Sequence, residues 1–251
     1  MAAPQSEGAI KELPTFLDLF LLDMDQTFLG LSLHQWMPVI MSGVAITFLV
    51  LFCYRVTRSL KKVPGLQQAL LELTVEGLES FVESQMGKVG GSFVAFIGTL
   101  FIYIWVMNLM GQVPLFHSPT ADYNTTLALT LIVFFLTHYH GFKSNGPIGY
   151  LKHFLGEPRW LAPLLLPIHL VQELIARPLT LSLRLFGNLM GEHTILAIGI
   201  GFSPLLLGFI PIPVQLPAVL LDLLLATLQA GIFAVLACFY IAGAMGALEE
   251  H

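Results

Sequence analysis

Charge is what this sequence has least of. Asp, Glu, Lys and Arg together make up 11% of its 251 residues, against roughly one quarter in an ordinary globular domain. With 56% hydrophobic residues and a mean hydropathy of +0.80, a water-soluble domain is excluded and an integral membrane protein is expected, with no nucleic-acid partner. Cysteine is nearly absent too: Cys53 and Cys238 each fall inside an apolar run, so neither a disulfide nor a metal site is expected. The opening "MAAPQSEGAIKELPTF" has no basic region leading into an apolar run, which argues against a signal peptide. There is no convincing internal repeat, a point against an inverted-repeat transporter. The short alternating segments of a transmembrane barrel are missing as well. No nucleotide loop or metal cluster stands out, so no catalytic site and no cofactor are expected in this chain. The net charge of −5 excludes little.

What the sequence does have is long apolar runs. About 20 apolar residues span the hydrocarbon core as a helix, and such windows cover 38–54, 92–111 and 125–140. Two more, 161–202 and 214–246, are longer than one crossing requires. A helix of some 35 residues is a rod of about 50 Å against roughly 30 Å of hydrocarbon, so tilt or a break is expected in each. Pro178 is one place to kink. Gly199, Gly201 and Pro204 close the first stretch, and Pro211, Pro213 and Pro217 delay the next. The expected fold is all-α, one membrane domain over residues 1–251, with about five crossings and the last two helices forming a long, strongly tilted hairpin.

Basic residues in short loops mark the inner side. Arg55, Arg58, Lys61, Lys62 and Lys88 lie between the first two spans, and Lys143, Lys152 and Arg159 between the third and fourth. "QVPLFHSPTADY" and "SPLLLGFIPIP" carry none. Residues 1–35 hold Lys11 against Glu7, Glu12, Asp18, Asp23 and Asp25. Five crossings with the N-terminus outside and the C-terminus inside fit every loop. Between the first two spans, residues 66–86 place Glu72, Glu76, Glu79 and Glu83 on one face, with Leu71, Leu78, Phe81 and Val82 elsewhere on the wheel. This predicts an amphipathic interfacial helix. Its acidic face is either simply solvated or a docking face for a cytoplasmic partner, since it gains nothing from anionic lipid.

Against so apolar a background, the polar residues of the last two stretches are conspicuous. On a 100° wheel centred on Arg184, Arg177, Glu173, Asn188 and His169 all lie within about 60°. His193 points about 180° away, which separates a polar stripe toward the inner end from a site toward the outer end. In the final helix Asp222 and Gln229 share a face. If the hairpin turns near residues 204–213, Asp222 comes level with His193 and Gln229 with Arg184. An acid and a histidine at one depth could relay protons, or could form a buried structural hydrogen bond. A charge near the bilayer centre costs at least about 2.5 to 3.5 kcal/mol. Glu173 and Arg177 offset that cost as an i, i+4 pair with snorkelling side chains. Arg184 sits among Leu181, Leu183, Leu185 and Phe186, with no acid three or four residues away, and so asks for a functional explanation. Glu192 could simply face outside water.

"RPLTLSLRLFGN" (177–188) resembles the signature of subunit a of the bacterial F-type ATP synthase, with Arg184 on the family's essential arginine and Asn188 on its asparagine. "TLQAGIFAVLACFYIAGAMGALEEH" resembles its final helix, with Gln229 on its glutamine, and "NLMGQVP" and "SPTADYNTTLAL" resemble its second and third spans. The likeness runs from about residue 92 onward. It implies a non-catalytic, proton-translocating stator: a tilted hairpin lying against a rotating ring of c subunits, each bearing a membrane-buried carboxylate served by two offset half-channels. It implies Arg184 as the coupling charge between the half-channels, His193 and Asp222 with neighbouring Glu192 on the outer side, and Glu173 with His169 on the inner side. Arg177, Asn188 and Gln229 are supporting polar groups. Implied partners are the c ring, peripheral-stalk b subunits, the whole ATP synthase complex and membrane lipid, in a bacterial inner membrane. The alternatives are a sodium-coupled stator of the same kind, an ion-coupled secondary transporter whose Arg184 binds an anionic substrate, and a structural membrane anchor.

Overall fold

The computed structural model describes residues 27–28, 31–58, 60–113, 116, 118–153 and 215–246, together with 167, 171–172, 176, 179–180, 182–183 and 187. A short antiparallel pairing of β1 (Thr27–Phe28) with β2 (Leu31–Ser32) leads into α1 (Leu33–Thr57). Then come α2 (Leu66–Met86), a 3-10 turn over Gly87–Ser92, and α3 (Val94–Met110). A second 3-10 turn, Pro119–Ala121, precedes α4 (Tyr123–His153), and the last described helix is α5 (Gln215–Ala244). Apart from the two-residue strands, the described residues are all-α.

Among the described residues, three helices are long and apolar enough to cross a membrane, over Trp36–Thr57, Tyr123–Gly146 and Val219–Ala244. The apolar α3, with 17 residues, reaches about 25 Å, slightly less than the roughly 30 Å of hydrocarbon. Turns at both ends extend it. Of the expected stretch 161–202, only the scattered positions named above are described, so its helix, its tilt and the fifth crossing lie outside the described residues.

Local chemistry sets the ends of the helices. Gly87, at φ 63°, stops α2 while its N–H donates to the Glu83 carbonyl, the left-handed termination a Cβ would disfavour. Asp122 Oδ1 accepts the Asn124 N–H at 2.7 Å and so caps the start of α4. α4 runs well past His140 to His153, with one break at Gly146, where φ is 67° and ψ 166°. Pro38 lies in the second turn of α1, where its missing amide removes one early i→i−4 bond.

The core forms where α5 meets α3 and α4. Ile97, Leu100, Ile104 and Met107 of α3 and Leu129 and Val133 of α4 pack with Ala230, Phe233, Ala234, Ala237, Cys238 and Ile241 of α5. The small residues on α5 let the helices approach closely, which matters where no hydrophobic driving force separates helix from lipid. Val82 and Met86 of α2 join the same cluster. The C-terminal end of α5 is held from a distance: Asn145 Nδ2 donates to the Ala244 carbonyl at 2.9 Å and Ser144 Oγ to that of Met245 at 3.3 Å. Both occupy carbonyls that a helix C-terminus leaves without an intrahelical donor.

Candidate functional site

Helix α5 carries leucines on one side and its polar residues on the other. Leu220, Leu224 and Leu228 are exposed, while Asp222 and Gln229 are buried, at 5% and 2% exposure. Seven residues apart, those two lie on one side of the helix, about 10 Å apart along its axis. That side is also the packed one, since Ala226, Ala230 and Phe233 are fully enclosed on it. A leucine-rich helix presents this face because packing of small residues against α3 and α4 leaves no other place to shield an acid and an amide from lipid.

Between Asp222 and Gln229 a second polar group arrives from α3. Asn108, 2% exposed, donates from Nδ2 to the Ala226 carbonyl at 3.3 Å. Its Oδ1 accepts from Thr120 Oγ1 at 2.7 Å. Thr120 lies 2.8 Å from Ser118 Oγ, which donates to the Met107 carbonyl at 3.0 Å. Ser118 and Thr120 are fully buried. Two hydroxyl protons thus serve three contacts, and rotation of the hydroxyls moves the unfilled one. This network links α3, the Pro119–Ala121 turn and α5 at the level of Asp222 and Gln229. Nearby, Trp105 Nε1 donates to Thr227 Oγ1 at 2.9 Å. On α4, Thr126, Thr130 and Thr137 are buried and bond to carbonyls of their own helix, Tyr123, Thr126 and Val133, so their hydroxyls cost little in apolar surroundings.

Replacing Asn108 with leucine removes the hydrogen bonds to Thr120 Oγ1 and to the Ala226 carbonyl and leaves the Thr120 hydroxyl to Ser118 Oγ. A buried hydrogen bond contributes about 0.5 to 1.5 kcal/mol net. Thermal unfolding of the full chain in detergent is therefore expected to show N108L destabilised by about that amount, with T120V adding little in the N108L background because the two share one bond. Strictly additive losses in that cycle would overturn the network.

Of the residues expected from sequence, the structure places Asp222 and Gln229 together on the buried face of α5. Arg184, Arg177, Glu173, Asn188, His169, Glu192 and His193 lie outside the described residues. No group of three metal-binding side chains occurs among the described residues. Asn108, Ser118 and Thr120 were not anticipated as a polar cluster. The available signal was a single Asn inside the apolar window 92–111, since an amide within a spanning segment requires a polar partner.

The chain matches the family described as ATP synthase A chain over residues 38–242. It is 35% identical to the ATP synthase subunit a of Protochlamydia amoebophila over 244 residues, covering 94% of this chain and 90% of that protein. The ATP synthase subunit a of Trichlorobacter lovleyi is 39% identical over 231 residues, 92% of this chain and 95% of that protein. That of Geobacter sulfurreducens is 40% identical over 213 residues, 83% and 88% of the two chains.

Proposed function

The chain belongs to the ATP synthase A chain family, and on that premise we propose that it is the proton-translocating stator of the ATP synthase membrane sector. The observation that carries this reading is the burial of Asp222 and Gln229 on one face of an otherwise leucine-rich helix, beside a second buried polar network reaching in from α3. Polar groups at this depth are expensive in a membrane and mark ion paths by default. Among the described residues, three helices of membrane-spanning length and composition support a membrane protein.

In this reading the helix formed by 161–202 and α5 make a tilted hairpin against a ring of c subunits. Asp222 and His193, with Glu192 beside them, form the outer half-channel; Glu173 and His169 form the inner one. Arg184 stands between the two, with Arg177, Asn188 and Gln229 as polar support. A proton enters from outside, neutralises a ring carboxylate, travels round through lipid and leaves on the inner side. A guanidinium remains protonated under essentially all conditions and attracts each ionised carboxylate in turn, so it separates the two paths. The positive-inside pattern supports an outside N-terminus and a cytoplasmic C-terminus in a bacterial inner membrane. The ring, the peripheral-stalk b subunits and the rest of the ATP synthase are the partners.

The test is reconstitution of the membrane sector into vesicles under a potassium diffusion potential. Vesicles holding this chain, the ring and the peripheral stalk take up protons, and vesicles lacking this chain do not. Uptake driven equally well by sodium at alkaline pH would move the reading to a sodium stator. Solute uptake by this chain alone, without the ring, would overturn it in favour of a secondary transporter.

A further inference from the structure

Gln112 carries a buried polar group that the Asn108 network does not use. It stands two residues past the end of α3 and is half-buried. Its Nε2 is enclosed, with no hydrogen-bond partner among the described residues. The backbone around it is fixed. The Gln112 N–H donates to the Leu109 carbonyl at 3.1 Å and the Val113 N–H to that of Met110 at 3.2 Å, so the chain keeps winding past α3. An amide nitrogen carries two protons, and a buried donor without an acceptor is costly and rare.

The register of α3 against α5 identifies the acceptor. Trp105 bonds to Thr227 and Asn108 to the Ala226 carbonyl, so the number rises along one helix as it falls along the other, and the pair is antiparallel. From the Asn108 contact, Gln112 lies four residues onward and Asp222 four residues back along α5. Each step covers about 6 Å and returns to within roughly 40 to 60° of the starting side. Both steps lead toward the same end of the bundle, the one holding the Pro119–Ala121 turn. Gln112 and the buried Asp222 therefore come to one depth on the facing sides of the pair. The corner between them is closed from above, because a Cβ on Gly111 would lie 2.8 Å from Ser118 Cβ. Val113, one residue on, is exposed. Gln112 stands at the step from open surface to buried acid.

We propose that Gln112 is a positioning residue of the proton site at Asp222, its amide donating through one bridging water to the Asp222 carboxylate. An ionised carboxylate only accepts hydrogen bonds, and the amide nitrogen only donates them, so the two are matched. The amide does not titrate at any ordinary pH. It orients the acid and its water without competing for the proton in transit, a task that a second acid or a histidine at this position would not perform. A water held between two polar groups is well placed to be retained, and a bridged contact of this kind is nearly as good as a direct one. This assignment rests on the stator reading and deepens it, by naming a residue outside the last two helices that serves the outer site.

The experiment compares Q112L and Q112N with the native chain, each in the assembled complex in vesicles. Leucine keeps the bulk of the side chain and removes the donor, so Q112L is expected to unfold at the native temperature or above it. A buried amide without a partner would be improved by that change, and nothing else would follow. Infrared difference spectra of Q112L against native are expected to show a shifted carboxylate stretch, and the same comparison made in a D222N background should show none. ATP synthesis under an imposed potential should fall on the order of tenfold in Q112L, the lower end of what a hydrogen bond to a charged group is worth. Q112N restores a donor and should recover most of the rate, while Q112L should cost nothing further in D222N. An unshifted band would overturn the contact, and native synthesis in Q112L would overturn its role. The native chain tests the stator reading separately. If its complex makes no ATP under the potential, that reading falls, and a band that still shifts would leave Gln112 bonded to an acid that delivers no proton, which overturns the positioning role while keeping the contact.

Discussion

Arg184→Ala is expected to abolish ATP-driven proton pumping by inverted vesicles carrying the assembled complex, a loss of at least about a hundredfold if the proposed stator charge is removed. Each elementary charge crossing 100 mV carries about 2.3 kcal/mol, and in the proposed stator the motor keeps that energy only if no proton passes between the two half-channels without turning the ring. A permanent cation blocks such passage by repelling protons, and it also draws each deprotonated ring carboxylate out of lipid. Alanine does neither. Arg184→Lys is expected to fail as well, because an ammonium shifts its pKa readily when desolvated whereas a guanidinium does not. Added passive leak in the alanine variant would assign the barrier role in addition to the coupling role. Intact pumping in either variant, with the complex assembled, would sink the stator mechanism and leave Arg184 as a structural ion-pair partner.

Among the described residues, the long helices of membrane-spanning composition coincide with apolar windows of the sequence, a pattern lipid makes nearly obligatory. Their ends were less legible. The expected third span stops at His140, where "HGFKSNG" turns polar, yet α4 continues to His153. Hydropathy marks where lipid ends. A helix ends where its backbone bonds do, and here the first interruption is at Gly146. The polar face of α5 followed from the seven-residue spacing of Asp222 and Gln229. The Asn108 network did not, because its members come from three elements and are brought together only when α3 and the Pro119–Ala121 turn pack against α5. Likewise, sequence singled out the four glutamates of α2, the most visible pattern on that helix. Which side of α2 is packed became clear only once Leu78, Val82 and Met86 were placed.

Asp222→Asn keeps the shape and burial of the side chain and would remove the proton exchange proposed for it. Asparagine can still donate and accept hydrogen bonds within the packed face, so the complex assembles and passive leak stays at the native level. Proton delivery from the outer side is expected to slow between roughly tenfold and a hundredfold, the usual worth of a positioned acid–base group. ATP synthesis in vesicles energised by an imposed potential reads that delivery directly. The relay with His193 gives the sharper test. If the two form one exchange site, its chemistry depends on the pair and not on which helix holds which member. D222H alone should lose synthesis, and D222H with H193D should recover much of it. Recovery would make the two positions a single proton site at one depth, and so place α5 beside the stretch 161–202 at that level. An undiminished rate in D222N would mean that the buried carboxylate serves packing alone, and outer delivery would then have to run through His193 and Glu192 without it.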